Sequence, residues 1–330
     1  MRSISMRSAT SLALAATLAV ASVGITTAQD EPIEVAYLSA SSANTWLAAS
    51  RAEMERIAAE NNIVITEFDA QFQPGNQTTQ LLDAIAADRY DGMIVAAVDG
   101  ASLIPDLETA AEQGIKIVGL NQVIGDDLGT ADPQTPALSA SVMEPPIQRG
   151  ERLADLTLRA CEGLEQCDVV YIYGIPGIPL DVAVRQGFDD VTAGSNINIV
   201  AEGEGGYLGP DLGLAQMQDI LTSTPDFDVV LGPDQGMQGA EIALTDAGVL
   251  GDVRVIGFGG GAAALEAVAD GRWWGVLNGT PATEGRLAME ALIAALNGED
   301  LGGIDPALQA IDDGLVTAEN VDKFTPEWEG

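Results

Sequence analysis

The sequence predicts an α/β protein built from two similar doubly wound parallel-sheet domains, and three observations carry that reading. Short apolar runs with a β-branched bias alternate with helix-period segments of about a dozen residues, which is the pattern of βαβ units and parallel sheets. The two halves echo each other: RYDGMIVAA at 89–97 parallels DFDVVLGP at 226–233, and GIKIVGLN at 114–121 parallels DVRVIGFG at 252–259, at offsets of about 135 to 138 residues. A chain of 330 residues, 47% hydrophobic with 37 glycines, has the composition of a globular α/β protein and the length for two domains.

The first unit sets the pattern. Ile33–Leu38 is an apolar run that passes through the polar loop Ser39–Thr45 into a segment where Leu47, Met54, Ile57 and Ala58 keep a 3.6-residue beat opposite Arg51, Glu53, Glu55, Arg56 and Glu60. Strands follow at Ile63–Phe68, Gly92–Ala97 and Ile115–Leu120, with helices around Leu81–Ile85 and over Leu103–Gln113. The proline-rich stretch Gly125–Pro146 breaks the beat and reads as a loop and crossing segment. The second half then runs helix Gln148–Ala160, strand Asp168–Tyr173, helix Val182–Val191, strand Ile197–Ala201, helix Leu212–Thr222, strand Asp228–Leu231, helix Met237–Ala247 and strand Arg254–Phe258. It closes with helix Ala263–Asp270, strand Trp273–Leu277, a helix over Thr283–Leu296 and a tail through Leu315–Val321.

Residues 1–28 read as a signal peptide outside the fold: Arg2 and Arg7 make a basic start, Leu12–Val23 is an apolar run, and Thr26-Thr-Ala28 is a small-residue cleavage site. The expected product is soluble and periplasmic. With Arg2 and Arg7 removed, 12 basic residues stand against 50 acidic ones, a net charge of −38, which excludes nucleic acid as a partner. The absence of histidine excludes Ser-His-Asp and Cys-His catalysis and histidine-based zinc sites, and nothing in the sequence calls for a cofactor. Cys161 and Cys167, the only cysteines, are expected to form a disulfide in an exported chain, since their spacing is not that of a CxxC redox motif.

In an open parallel sheet, ligands bind at the carboxyl ends of the strands. The first such loop offers Ser41, Ser42, Asn44 and Thr45 beside Trp46, a set of hydroxyls, an amide and an indole that suits a neutral hydroxylated ligand, although Asn44 or Thr45 also fits a helix cap. Gly257-Phe-Gly-Gly-Gly-Ala262 matches a dinucleotide fingerprint after a strand and before a helix. It lacks the acidic residue about twenty positions on, where Leu277 and Asn278 stand, so a tight turn is the better reading and a nucleotide-dependent oxidoreductase the weaker one.

With the first strand and its polar loop, GIKIVGLN, the Gly174–Gly177 loop and DVRVIGFGGG in place, the chain resembles periplasmic binding proteins of the ribose/galactose type, the solute receptors of ABC sugar importers, over about residues 32–325. Arg185-Gln-Gly-Phe188, Trp273-Trp-Gly-Val276 and Leu315–Val321 support the likeness. It implies two lobes, 29–143 plus 281–305 and 144–280 plus 306–330, joined by three crossing segments with the ligand in the cleft between them. It also implies a non-enzymatic monomer that hands a sugar or polyol to a membrane permease, or a receptor of the same fold that reports to a sensor.

By the same resemblance the ligand-binding residues include Ser41, Ser42, Thr45, Trp46, Asn121, Gln122, Arg185 and Tyr207, and the strand-end loops that should face the cleft add Asn44, Asp234, Gln235 and Asn278. The family's usual charged positions are changed, with Ala96, Val184, Pro233, Gly259 and Gly279 where Asn, Arg, Asn, Asp and Gln are common, which argues against an ordinary pyranose held by bidentate charged hydrogen bonds. Since Arg185 is the only basic residue read near the cleft, the ligand is expected to be uncharged.

Overall fold

The computed structural model describes residues 31–330, so the signal-peptide reading lies outside the described residues. Among the described residues the chain forms two six-stranded sheets. The first draws on β1 (Ile33–Ser39), β2 (Ile63–Asp69), β3 (Gly92–Val95), β4 (Lys116–Leu120), β5 (Leu138–Val142) and β11 (Gly302–Ile304), in the order β11-β5-β4-β3-β1-β2. The second draws on β6 (Cys167–Tyr173), β7 (Ile197–Glu204), β8 (Val229–Pro233), β9 (Arg254–Gly259), β10 (Gly275–Asn278) and β12 (Leu315–Thr317), in the order β12-β10-β9-β8-β6-β7. All pairings are parallel except β10 with β12. Leaving the edge strands β11 and β12 aside, the two orders are the same, which is the structural form of the echo in the sequence.

Helices cover both faces of each sheet. In the first half α1 (Thr45–Glu60) and α9 (Pro281–Leu296) bury Leu47, Met54, Met289 and Leu292 against one face, while α2 (Pro74–Ala86) and α3 (Gly100–Glu112) bury Leu81, Leu103 and Leu107 against the other. In the second half α4 (Pro146–Ala160) and α5 (Pro179–Thr192) bury Leu153, Leu156 and Phe188 on one face. On the other, α6 (Asp211–Ser223), α7 (Asp234–Ala247) and α8 (Ala262–Ala269) bury Met217, Met237, Leu244 and Val268. Burial on both faces explains why the central strands read as continuous apolar runs rather than alternating ones.

The helix starts are legible residue by residue. Asn44 caps α1 by accepting Leu47 N–H at 2.9 Å. Prolines 74, 146, 179 and 281 open α2, α4, α5 and α9, where the missing N–H has no intrahelical partner to lose. Gly150 of α4 and Gly285 of α9 are contact points: a Cβ would lie 2.0 Å from Val184 O and 2.1 Å from Ser50 O, so glycine lets α4 close on α5 and α9 on α1.

The chain passes between the sheets three times, after β5, after β10 and after β11. The structure corrects the reading of Gly125–Pro146 as loop alone, because β5 lies inside it with all five residues buried. The centre of this strand, Ser139-Ala-Ser141, is made of small residues that carry little strand propensity, and pairing with β4 and β11 supplies what the local sequence lacks. Cys161 closes α4 and is joined to Cys167 at the start of β6 by a disulfide, with a Cα–Cα distance of 5.6 Å.

Candidate functional site

The carboxyl ends of both sheets face one cavity of about 70 Å³. The first half contributes Asn44 and Trp46 after β1, Phe72 after β2, Val98 after β3, and Asn121 with Gln122 after β4. The second contributes Ile178 and Leu180 after β6, Tyr207 after β7, Gln235 after β8, Gly259 at the end of β9, and Asn278 with Gly279 at the end of β10. Glu144 and Arg149, at the first passage between the sheets, and Trp328 line it as well.

A chain of polar contacts runs around the cavity wall. Trp46 Nε1 and Asn121 Nδ2 both donate to Glu284 Oε2, at 3.0 and 2.9 Å. Gln122 Nε2 donates to Asn121 Oδ1 at 2.8 Å, and Asn44 Nδ2 donates across the cleft to Tyr207 O at 2.8 Å. The Tyr207 hydroxyl donates to Asp181, which also accepts the N–H groups of Gly174 and Ile175 at 2.8 and 3.1 Å. Arg149 Nε donates to Glu144 Oε2 at 2.9 Å, while Arg152 takes Glu144 Oε1. Arg149 Cζ also stands 5.7 Å from the centroid of the Trp46 ring.

These groups are buried, and their acidities follow. Burial pushes the Glu284 carboxyl up to about 7 against the opposing pull of Arg149 and of the Asn121 and Trp46 hydrogen bonds. Burial likewise raises Asp181 to about 6 and the Tyr207 hydroxyl well above its usual value. Burial works against the Arg149 charge, but the Glu144 and Glu284 carboxylates outweigh it and hold the guanidinium above its ordinary value. Two polar atoms on this wall, Arg149 Nη2 and Asn278 Oδ1, are buried without a hydrogen-bond partner among the described residues.

The segment 324–330 crosses the mouth of the site. Trp328 Nε1 donates to Gly259 O at 2.9 Å, and the Trp328 and Glu329 carbonyls accept Ala262 N–H and Ala263 N–H at 2.9 and 3.2 Å. On the other half, Glu327 accepts from the Thr283 N–H and hydroxyl at 2.8 and 2.6 Å, and Thr45 Oγ1 donates to Gly330 O at 3.1 Å. The Trp46 and Trp328 rings meet edge to face with centroids 5.4 Å apart.

Of the residues expected at the ligand, Asn44, Trp46, Asn121, Gln122, Tyr207, Gln235 and Asn278 line this cavity. The others sit elsewhere. Ser41 is buried with its carbonyl accepting Asn44 N–H, Ser42 N–H donates to Asp69 at 3.1 Å, and Thr45 faces the 324–330 segment. Arg185 pairs with Asp189 and Glu202 and lies over the Tyr171 ring, 4.9 Å from its centroid. Asp234 is fully buried beneath the glycine turn, accepting Gly261 N–H at 2.8 Å. With Asp234 on one of the turn's N–H groups and Trp328 against Gly259, the Gly257–Ala262 turn is filled by the protein's own side chains.

Sequence reasoning passed over Arg149, Glu144, Glu284, Phe72 and Trp328. The premise that Arg185 is the one basic residue near the cleft is therefore corrected: the basic residue on the cavity wall is Arg149, and its charge is already paired. A signal for it was present. Pro146-x-x-Arg149-Gly150 and Pro281-x-x-Glu284-Gly285 stand 135 residues apart, close to the offset of the strand echoes.

Residues 35–300 match the family described as periplasmic binding protein domain. The chain is 22% identical over 267 residues to a ribose import binding protein of Bacillus subtilis, covering 78% of this chain and 79% of that protein. It is 25% identical over 284 residues to a xylitol-binding protein of Mycolicibacterium smegmatis, covering 84% and 76%. Among solved structures, a Caulobacter myo-inositol binding protein bound to myo-inositol superimposes with a TM-score of 0.75 at 24% identity, covering 89% of this chain and 96% of that one. A galactofuranose binding protein does so with a TM-score of 0.77 at 20% identity, covering 88% and 97%.

Proposed function

Since the chain belongs to the periplasmic binding protein domain family and is a ligand-binding receptor of that kind, we propose that it is the exported solute receptor of an ABC importer, capturing a small uncharged sugar or polyol and delivering it to a membrane permease. The observation that carries this reading is the placement of the cavity where the carboxyl ends of two equivalent sheets converge, walled by Trp46 and by the amides of Asn44, Asn121, Gln122, Gln235 and Asn278. Sugars and polyols present C–H faces to such rings and hydroxyls to such amides. The ligands named for the relatives, ribose and xylitol, and the bound myo-inositol of the structural neighbour point the same way.

The sheet memberships support lobes of 29–143 plus 281–305 and 144–280 plus 306–330, which would close on the ligand by bending at the three passages. Arg185 and Asp234 are given structural roles and left out of the proposed ligand set. The Cys161–Cys167 bridge fits an oxidising compartment, in line with export to the periplasm. We take the working form to be a monomer without catalytic activity. Thermal-shift titration of the mature protein with a panel of sugars and polyols tests the reading, because a ligand at a hundred times its Kd adds about 2.7 kcal/mol to stability. No shift with any member, against a shift with amino acids or anions, would sink it. A second reading, a receptor that reports to a sensor, is separated by uptake: deleting the receptor abolishes accumulation of the labelled ligand only if it feeds an importer.

A further inference from the structure

Residues 325–330 hold on to three helix starts at once. Two of those helices, α8 and α9, lack a side-chain cap of their own. At α8 the first N–H groups, of Ala262 and Ala263, donate instead to Trp328 O and Glu329 O. At α9 the Glu327 carboxylate accepts both the N–H and the hydroxyl of Thr283. At α1 the Thr45 hydroxyl donates to Gly330 O. Helix α8 packs on the second sheet and α1 and α9 on the first, so one short segment is bonded to both halves.

The glycine turn after β9 is shaped for this segment. A Cβ on Gly261 would lie 2.5 Å from Gly330 Cα, and one on Gly259 would lie 2.7 Å from Trp328 Cζ2. Beside them, at the end of β10, a Cβ on Gly279 would lie 2.2 Å from Trp46 Cη2. Glycine is what lets both indoles and the 325–330 backbone come this close. The string that resembles a dinucleotide fingerprint therefore spends its space and its N–H groups on the chain itself.

The two attachments are unequal. Just before the segment, Val321 and Phe324 pack on the second-half core, and Trp328 Nε1 is bonded to Gly259 O at 2.9 Å. Its ties to the first half are the Glu327 and Gly330 bonds and the edge-to-face contact with Trp46. When the halves part, the segment stays with the second, and the ties to the first are the ones that break. Contacts made only in the closed form favour that form. Trp328 is also the one buried residue of the segment, and it lines the cavity.

Resting on the receptor reading above, we propose that residues 325–330 are a strap that completes the binding site. Trp328 is a ligand-contacting wall, and Glu327, through Thr283, is the positioning residue that latches the strap to the first half.

Association and dissociation rates test this, with whichever of ribose, xylitol and myo-inositol raises the melting temperature of the mature protein most as the probe. Glu327→Ala should release it about tenfold faster with association unchanged, and Glu327→Gln, which keeps one acceptor, should fall between. A lowered melting temperature with an unaltered dissociation rate would make Glu327 a helix cap only and overturn the latch. Trp328→Ala should weaken binding about thirtyfold, and Trp328→Phe, the second variant if the first does not fold, about threefold. Unchanged affinity in a folded variant would make the indole a bystander, and tighter binding would make it a plug; either overturns its place at the ligand. If none of the three probes nor the wider panel binds, the receptor reading falls, and the ligand-free protein decides the latch. Small-angle scattering should then give Glu327→Ala a larger radius of gyration than the unaltered protein, and equal radii overturn the strap as well.

Discussion

Arg149 and Glu284 occupy the same place in the two halves of the chain: each lies in the first turn of the helix that follows the fifth strand of its sheet, three residues after a proline and one before a glycine. Both are buried, and their charges act on each other at the cleft. Glu144, fully engaged by Arg149 and Arg152, completes a buried ionic group beside the first passage between the sheets. Removing one member of such a group leaves an uncompensated charge, so Arg149→Met should destabilise the protein by about 3 kcal/mol or more. Adding Glu144→Leu together with Arg152→Met, which takes out the whole group, should recover most of that loss without restoring ligand affinity. Urea denaturation of the single and triple variants measures it, and equal losses in the two would show that the ionic group is not the cause.

Asp234 makes stability depend on pH in an unusual direction. Burial raises its carboxyl to about 7 from an ordinary 3.8, against the N–H groups of Gly261 and Gly260. Below about pH 7 the folded protein holds a proton that the unfolded chain takes up only near pH 4, so folding binds a proton in that window and stability rises as pH falls through it. Each unit of difference is worth about 1.4 kcal/mol. The melting temperature should therefore increase from pH 8 to pH 5, and Asp234→Asn should flatten that rise. An unaltered slope in the variant would assign the effect to other groups, of which Glu284 is the first to test by Glu284→Gln.

Trp46→Ala should weaken ligand binding by about 2 kcal/mol or more, the loss expected of an aromatic anchor. Trp46→Phe keeps the ring and removes only the indole donor to Glu284, so its affinity should fall between the two. Calorimetry beside thermal melts separates anchor from packing: full affinity with lowered stability would mean that the indole serves the core alone.

Although Arg149 lines the cavity, Glu144 neutralises it at 2.9 Å, and an uncharged ligand should bind almost independently of salt. Kd measured from low to high ionic strength is expected to stay flat. A steep loss of affinity would identify an ionic ligand.

Reduction of Cys161–Cys167 should cost only about 2 kcal/mol, because the bridge closes a short loop. Cys167→Ser should still fold and bind. Intact mass before and after reduction should differ by two hydrogen atoms per molecule, and an unchanged mass would show two free thiols.

The sheets were legible because burial on both faces writes strands as unbroken apolar runs. Val35–Leu38, Met93–Val95 and Val229–Leu231 need no context to be read. Strand β5 was not legible: its Ser and Ala residues become a strand only once β4 and β11 offer ladders on either side. For the site, loops directly following strands were readable, and Asn44, Trp46, Asn121, Tyr207 and Asn278 came from that rule. Ser42 and Thr45 share a loop with Trp46, yet the turn into α1 directs them to Asp69 and Gly330. Arg149 and Glu284 sit inside helices, where position after a strand says nothing. Only comparing the two halves of the sequence at the 135-residue offset places them together.

The edge-to-face contact of Trp46 with Trp328 gives the molecule an optical reporter of its own. Trp46 rides on α1, packed on the first sheet, and Trp328 is bonded to Gly259 on the second, so parting the halves must part the rings and admit solvent to both indoles. The chain has only two other tryptophans, of which Trp273 is buried in the core on one face of the second sheet and Trp274 packs against the core on its other face. They supply a constant background. Intrinsic fluorescence, red-shifted when the cleft opens and blue-shifted when it shuts, therefore follows the state of the cleft without any label.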